Sequence, residues 1–131
     1  MRVGLAQEEI ARKGWAVTPA QAKGLVGRPN VVLVDLRERS ERQKHGVIPG
    51  SLHAPYPDLQ ESIRPGGMLH ELACATGKRV VFYCAFGERS AMAVQAAQDA
   101  GLMSACHIHG GLDAWRKAGG SLAPGAEGAT D

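Results

Sequence analysis

No apolar stretch in these 131 residues approaches the roughly 20 needed to cross a bilayer as a helix, so an α-helical membrane span is not expected. The first residues, Met1 to Glu9, lack the apolar segment of a secretory leader. Cysteine is scarce. Three residues make an odd count, which argues against a disulfide framework and for reduced thiols in the cytoplasm. An excess of one charge is also missing: 15 basic and 13 acidic residues are interspersed, giving a net charge of +2 without a Lys/Arg stripe. Neither nucleic acid nor a membrane surface is therefore an expected partner, and small molecules or proteins are. The hydrophobic fraction of 44% is ordinary. At this length it suits one domain that buries roughly two-thirds of its unfolded surface, with no metal or disulfide needed to hold it.

The pattern along the chain alternates strands with helices. Thr18-Pro19 starts a helix, because Thr18 caps free N–H groups and Pro19 sits where its missing donor does no harm. A short strand around Trp15–Val17 precedes it. Val31 to Val34 is a continuous β-branched apolar run, suited to a strand covered on both faces, and it ends at Asp35. The charged stretch 38–44 reads as a helix closed by Gly46 and the Ile48-Pro49-Gly50 turn. Further strands are expected at 51–54, 78–83 and 105–108, a helical turn at 58–63, and helices at 68–76, 90–97 and 112–118. The helix at 90–97 is rich in alanine, which lets its backbone lie close to a sheet, and Gly101 stops it. This order predicts an α/β three-layer sandwich, a mostly parallel sheet of about five strands flanked by helices. Residues 1–15 form an N-terminal extension, 16–122 the domain and 123–131 an expected disordered tail.

Chemistry concentrates at Cys84. It follows the apolar run Lys78–Tyr83 and opens the loop Cys84-Ala85-Phe86-Gly87-Glu88-Arg89, directly before Ser90 and its helix. A sulfur at that place faces free backbone N–H groups, the positive end of a helix dipole and Arg89, all of which favour an anion. A free thiol is only about 3% ionised at neutral pH, and making the thiolate the main form takes roughly 2.7 kcal/mol. A helix terminus contributes about 0.3–1 kcal/mol, so the loop amides, at about 1.5–3 kcal/mol each, must supply most of the remainder.

Four motifs in order resemble the rhodanese-like sulfurtransferase family: Val34-Asp35-x-Arg37-Glu38, the Ile48-Pro49-Gly50-Ser51 turn, Cys84-x-x-Gly87-x-Arg89-Ser90, and Gly110-Gly111-x-x-x-Trp115-x-x-x-Gly119. They run over about residues 16–122. The resemblance implies that Cys84 takes a sulfane sulfur from thiosulfate or a persulfide and passes it to a thiophilic acceptor, a small molecule or a protein thiol. It implies that Ala85, Phe86, Gly87, Glu88, Arg89 and Ser90 bind the sulfur, that Asp35 and Arg37 support the loop, and that no cofactor or metal takes part. A low-turnover persulfide carrier or regulatory module is the alternative. Cysteine phosphatases and arsenate reductases share the strand-loop-helix order, but the phosphatase loop is longer, and only four residues, Ala85 to Glu88, separate Cys84 from Arg89 here.

Several residues carry plainer expectations. Cys74 reads as an apolar helix residue and Cys106 as a buried strand residue, with a resolving role for either as the alternative. His70 with Cys74, and Cys106 with His107 and His109, lack the paired spacings of structural zinc sites. Glu88 is expected to point outward or pair with Arg89, and to disfavour doubly charged thiosulfate. His45 stands displaced from the family's Gly-His-Ile-Pro-Gly pattern, which leaves that histidine's role open. Trp115 reads as core, and Phe86 either lines an apolar entrance or tucks against the sheet edge.

Overall fold

The computed structural model describes residues 3–125. Five parallel strands form one sheet in the order β1-β5-β4-β2-β3: β1 (Ala16–Val17), β2 (Val31–Asp35), β3 (Leu52–His53), β4 (Arg79–Tyr83) and β5 (Cys106–Ile108). The helices are α1 (Val3–Arg12), α2 (Pro19–Lys23), α3 (Arg39–His45), α4 (Leu59–Ile63), α5 (Met68–His70), α6 (Glu88–Asp99) and α7 (Gly111–Lys117). The expected α/β sandwich is therefore present, with two cores. On one face Val80 and Phe82 pack with Ala6 and Ile10 of α1, Leu59 and Ile63 of α4, and the alanines and Val94 of α6. On the other, Val81, Tyr83, Cys106 and Ile108 pack with Ala22 of α2 and with Leu112 and Trp115 of α7. Trp115 is thus core.

Local sequence explains the element ends. Thr18 closes a reciprocal cap on α2: the Gln21 N–H donates to Thr18 Oγ1 at 3.1 Å and the Thr18 N–H to Gln21 Oε1 at 2.9 Å. In α6 Ala93 and Ala97 share a face one turn apart and Ala91 turns towards α1, each without exposed surface. The small size of Ala93 and Ala97 lets the helix axis approach β4 closely, so its N-terminus is fixed against the strand's end.

Two expectations are corrected. The helix expected over 68–76 is α5 followed by a π turn at Glu71–Ala75, in which the Thr76 N–H reaches back to Glu71 O at 3.2 Å. The Lys78 N–H donates to Leu72 O at 3.0 Å, and this draws the chain out of the helix and into β4. Cys74, on that turn, is exposed. Residue 123, expected to begin a disordered tail, is instead tied to the domain. Ala123 exchanges two hydrogen bonds of 2.8 Å with Val47, and Trp115 Nε1 donates to Ser121 O at 2.9 Å. Residues 126–131 lie outside the described residues.

Candidate active site

Strand alternation decides where Cys84 goes. Val80 and Phe82 face the α6 side, and Cys84 continues that parity, so its side chain meets the N-terminus of α6. The chain then turns over the end of the sheet. Two amides of α7 hold the turn from behind: the Leu112 N–H donates to Cys84 O at 2.8 Å and the Asp113 N–H to Ala85 O at 3.1 Å. Gly111 permits this approach, since a Cβ on it would lie 2.7 Å from both carbonyl oxygens. Gly87, at φ +100°, caps α6 in the left-handed conformation that favours glycine and aims its N–H inward.

The sulfur sits under those donors. Cys84 Sγ accepts from the Gly87 N–H at 3.1 Å and the Ser90 N–H at 3.4 Å, and its thiol donates to Ser90 Oγ at 3.6 Å. Ser90 Oγ in turn lies 2.7 Å from His107 Nδ1 on β5. Cys84, Ser90 and His107 are fully buried. Burial, with a smaller contribution from His109, holds His107 down to about 4, so the ring is neutral near pH 7. Outside the loop lies a cleft of about 150 Å³ lined by Arg37, Glu41, His45, Ala85, Phe86, Leu112, Asp113 and Arg116. Phe86 is 58% exposed and forms the apolar part of its rim with Leu112, not a plug against the sheet. Ala85 is half-buried beside it.

Arg89 does not pair with Glu88. Its guanidinium meets Glu41 of α3 in a bidentate contact, Nη1 to Oε1 at 2.9 Å and Nη2 to Oε2 at 2.8 Å. Those hydrogen bonds bring Glu41 down to about 2 and raise Arg89, which the nearby Cys84 sulfur raises further. The Glu38 N–H also donates to Glu41 Oε1 at 2.8 Å, so the carboxylate is held from both sides. Glu88 is half-buried in the first turn of α6.

Asp35 and Arg37 form a second polar centre, on the opposite face of β4. Asp35 accepts from the Arg37 N–H at 2.9 Å, from Arg37 Nε at 3.0 Å and Nη2 at 2.8 Å, and from the Tyr83 hydroxyl at 2.9 Å, with Arg42 Nη1 at 3.5 Å. Arg37 Nη2 reaches Gly46 O at 2.6 Å, and the Ile48 N–H donates to Tyr83 Oη at 3.1 Å. Burial opposes the charge on Arg37, but Asp35 outweighs it and raises the group. Burial, reinforced by Asp35, pushes Tyr83 up to about 12, so it acts as a neutral donor. This cluster ties the ends of β2 and β4 to the C-terminus of α3, the helix that carries Glu41. It supports the loop through Tyr83, the residue before Cys84.

The family model of the rhodanese-like domain matches residues 18–118. The chain belongs to this family. The rhodanese-like domain is 33% identical over 106 residues to the thiosulfate:glutathione sulfurtransferase of Saccharomyces cerevisiae, covering 75% of each chain. It is 32% identical over 104 residues to the thiosulfate sulfurtransferase/rhodanese-like domain-containing protein 3 of Mus musculus; that match takes in 76% of this chain and spans 66% of the mouse protein. Among solved structures, a protein of unknown function from Rhodopseudomonas palustris, described as a possible tyrosine phosphatase, superimposes with a TM-score of 0.81 at 37% identity, over 94% of this chain and 95% of that one. The human single-domain sulfurtransferase TSTD1 gives 0.63 at 26% identity, over 79% and 96%.

Three side chains of this rhodanese-like domain that touch the loop escaped the sequence reading. Glu41 was one charge among several in a polar helix. His107 stood out only as a neighbour of Cys106, and among the described residues no group of three or more His, Cys, Asp or Glu gathers to hold a metal. Gln7 lay in the supposed extension, yet it bridges the site: its Nε2 donates to Phe86 O at 3.1 Å, and its Oε1 accepts from the Gly110 N–H at 3.0 Å. Cys106 packs on the face opposite Cys84, where burial pushes its thiol up.

Proposed function

We propose that this rhodanese-like domain is a sulfurtransferase with Cys84 as its nucleophile. The observation that carries the reading is the Cys84 sulfur beneath the Gly87 and Ser90 amides, at the N-terminus of a 12-residue helix. In the first half-reaction the Cys84 thiolate attacks the outer sulfur of thiosulfate or a persulfide. The donor's S–S bond breaks, sulfite or a thiolate leaves with the electron pair, and Cys84 becomes a persulfide. A thiophilic acceptor, cyanide or a thiolate on a small molecule or protein, then attacks the outer sulfur, and the Cys84 thiolate leaves with its pair. The amides that cradle the sulfur favour it both as nucleophile and as leaving group. The acceptor approaches over Ala85 and Phe86, whose exposed ring suits a bulky or protein-borne thiol. Asp35 and Arg37 hold the frame, Arg89 stays paired with Glu41, and each step needs only the chain and its two substrates. The odd count of three cysteines favours a reducing compartment such as the cytoplasm.

The similarity to a possible tyrosine phosphatase does not change this reading, because four residues between Cys84 and Arg89 make a loop sized for one sulfur atom. The full burial of Cys84 favours a second reading, a carrier that loads sulfur and releases it slowly to one partner. Steady-state transfer from thiosulfate to cyanide, and from a persulfide to a thiol, tests the assignment. The reading expects ping-pong kinetics and complete loss of transfer in Cys84→Ser, and transfer that survives in that variant overturns it. Hydrolysis of an aryl phosphate at the same site overturns it in favour of phosphatase chemistry.

A further inference from the structure

We propose that His107 is a positioning residue for sulfur transfer, whose Nδ1–H donates to Ser90 and so leaves the Ser90 hydroxyl proton for the Cys84 thiolate. The proposal rests on the sulfurtransferase reading and extends it from backbone donors to a side-chain pair on two elements, α6 and β5. The sulfur then has three donors: the Gly87 amide, the Ser90 amide and the Ser90 hydroxyl.

The tautomer follows from what surrounds the ring. His107 is fully buried, and its Nε2 has no hydrogen-bond partner among the described residues, while Nδ1 lies 2.7 Å from Ser90 Oγ. A neutral imidazole has one N–H to place. On Nε2 that proton is a buried donor without an acceptor, which is the costlier orphan; on Nδ1 it is satisfied and only a lone pair is left without a partner. Ring neutrality near pH 7, set by burial, agrees with a single ring proton.

The consequence passes through one hydroxyl. Ser90 Oγ accepts from His107 Nδ1–H, so its own proton has two places to go, Gly87 O at 3.3 Å or Cys84 Sγ at 3.6 Å. While Cys84 is a thiol, its S–H takes the second lone pair of Oγ and the hydroxyl proton rests on Gly87 O. Once the sulfur is an anion, the S–H no longer blocks that direction and the hydroxyl turns about Cβ–Oγ to donate to it. The same anion is the nucleophile of the first half-reaction and the leaving group of the second. Losing the third donor therefore slows both.

The tautomer is read directly by long-range ¹H–¹⁵N correlation on the ¹⁵N-labelled protein, where we expect the proton on Nδ1; a proton on Nε2 overturns the proposal. Rapid-mixing rates of both half-reactions, with glutathione persulfide as donor and glutathione as acceptor, give the functional side. His107→Leu and Ser90→Ala should each lower both rates about 10- to 100-fold, the effect of one charge-assisted hydrogen bond. His107→Asn, whose amide N–H stands near the position of Nδ1–H, should restore most of the rate, and the double variant Ser90→Ala/His107→Leu should be no slower than Ser90→Ala. Wild-type rates in His107→Leu, or losses that multiply in the double variant, overturn the proposal. If His107→Leu fails to fold, as thermal melting shows, the tautomer and the Ser90→Ala rates decide. A wild type that takes up no sulfur removes the sulfurtransferase reading, and the ring spectrum still tests the hydrogen bond on its own.

Discussion

Tyr83 and Cys84 are neighbours in the chain and lie on opposite faces of one strand end, in two different kinds of polar environment. Tyr83 belongs to a charged centre, where Asp35 and Arg37 are buried together and cancel. Cys84 is held by neutral donors, the Gly87 and Ser90 amides and the Ser90–His107 pair, with the Glu41-paired Arg89 nearby. The first centre has nothing left to change: every lone pair of Asp35 that the frame can fill is filled, which fixes the geometry of β2, β4 and α3. The second holds a group whose charge must change during reaction, and neutral dipoles tolerate both of its states. Formal charge is concentrated in the frame, and Arg89, the charge beside the sulfur, is balanced by Glu41.

Breaking the frame should have the largest effect. Asp35→Asn leaves Arg37 buried without its counter-charge, and stability in urea should fall by about 3–5 kcal/mol. A loss too small to measure would show that the two sides are not held differently. The next effect reads the neutral side through pH. His107 titrates at about 4 in the fold, against an ordinary value near 6.5, so between these values the unfolded chain binds the extra proton. Stability is then complete above about pH 6.5, falls by about 3 kcal/mol as pH drops towards 4, and levels below it. His107→Asn should flatten that part of the curve in urea titrations across this range. Glu41 acts lower, between its ordinary value and about 2, and its contribution disappears as pH falls through that window.

Smaller effects should follow from residues at the loop's outer edge. Gln7→Ala removes the bridge between Phe86 O and the Gly110 N–H, and kcat/KM should fall about 2- to 10-fold while the melting temperature changes little. Unchanged kinetics would reduce α1 to packing. Glu88→Lys should raise kcat/KM for thiosulfate by about 2-fold and leave a neutral persulfide donor unaffected, as long-range charge effects at half-exposed sites are small. Equal values for both donors in the variant and wild type would contradict a role for this charge.

The strands, the α2 cap, the close-packing face of α6 and the cysteine loop were legible because each is written in adjacent residues: a β-branched run, Thr18-Pro19, spaced alanines, a glycine three places after Cys84. Glu41 with Arg89, Ser90 with His107, and Gln7 with Phe86 were not, because these partners are far apart in sequence and only the packing of the elements chooses them. The π turn at Glu71–Ala75 was hidden for a related reason, since the local residues suit a helix and the departure comes from the chain's entry into β4. Ala123 against Val47 likewise depends on where α3 ends.

The central claim, that Cys84 is the residue that stores transferred sulfur, is tested most directly by intact-mass and peptide analysis after brief treatment with thiosulfate or glutathione persulfide. The account predicts one added sulfur atom on Cys84, removed by an acceptor thiol and absent in Cys84→Ser. An unchanged mass, or the added sulfur on exposed Cys74 instead, would contradict it.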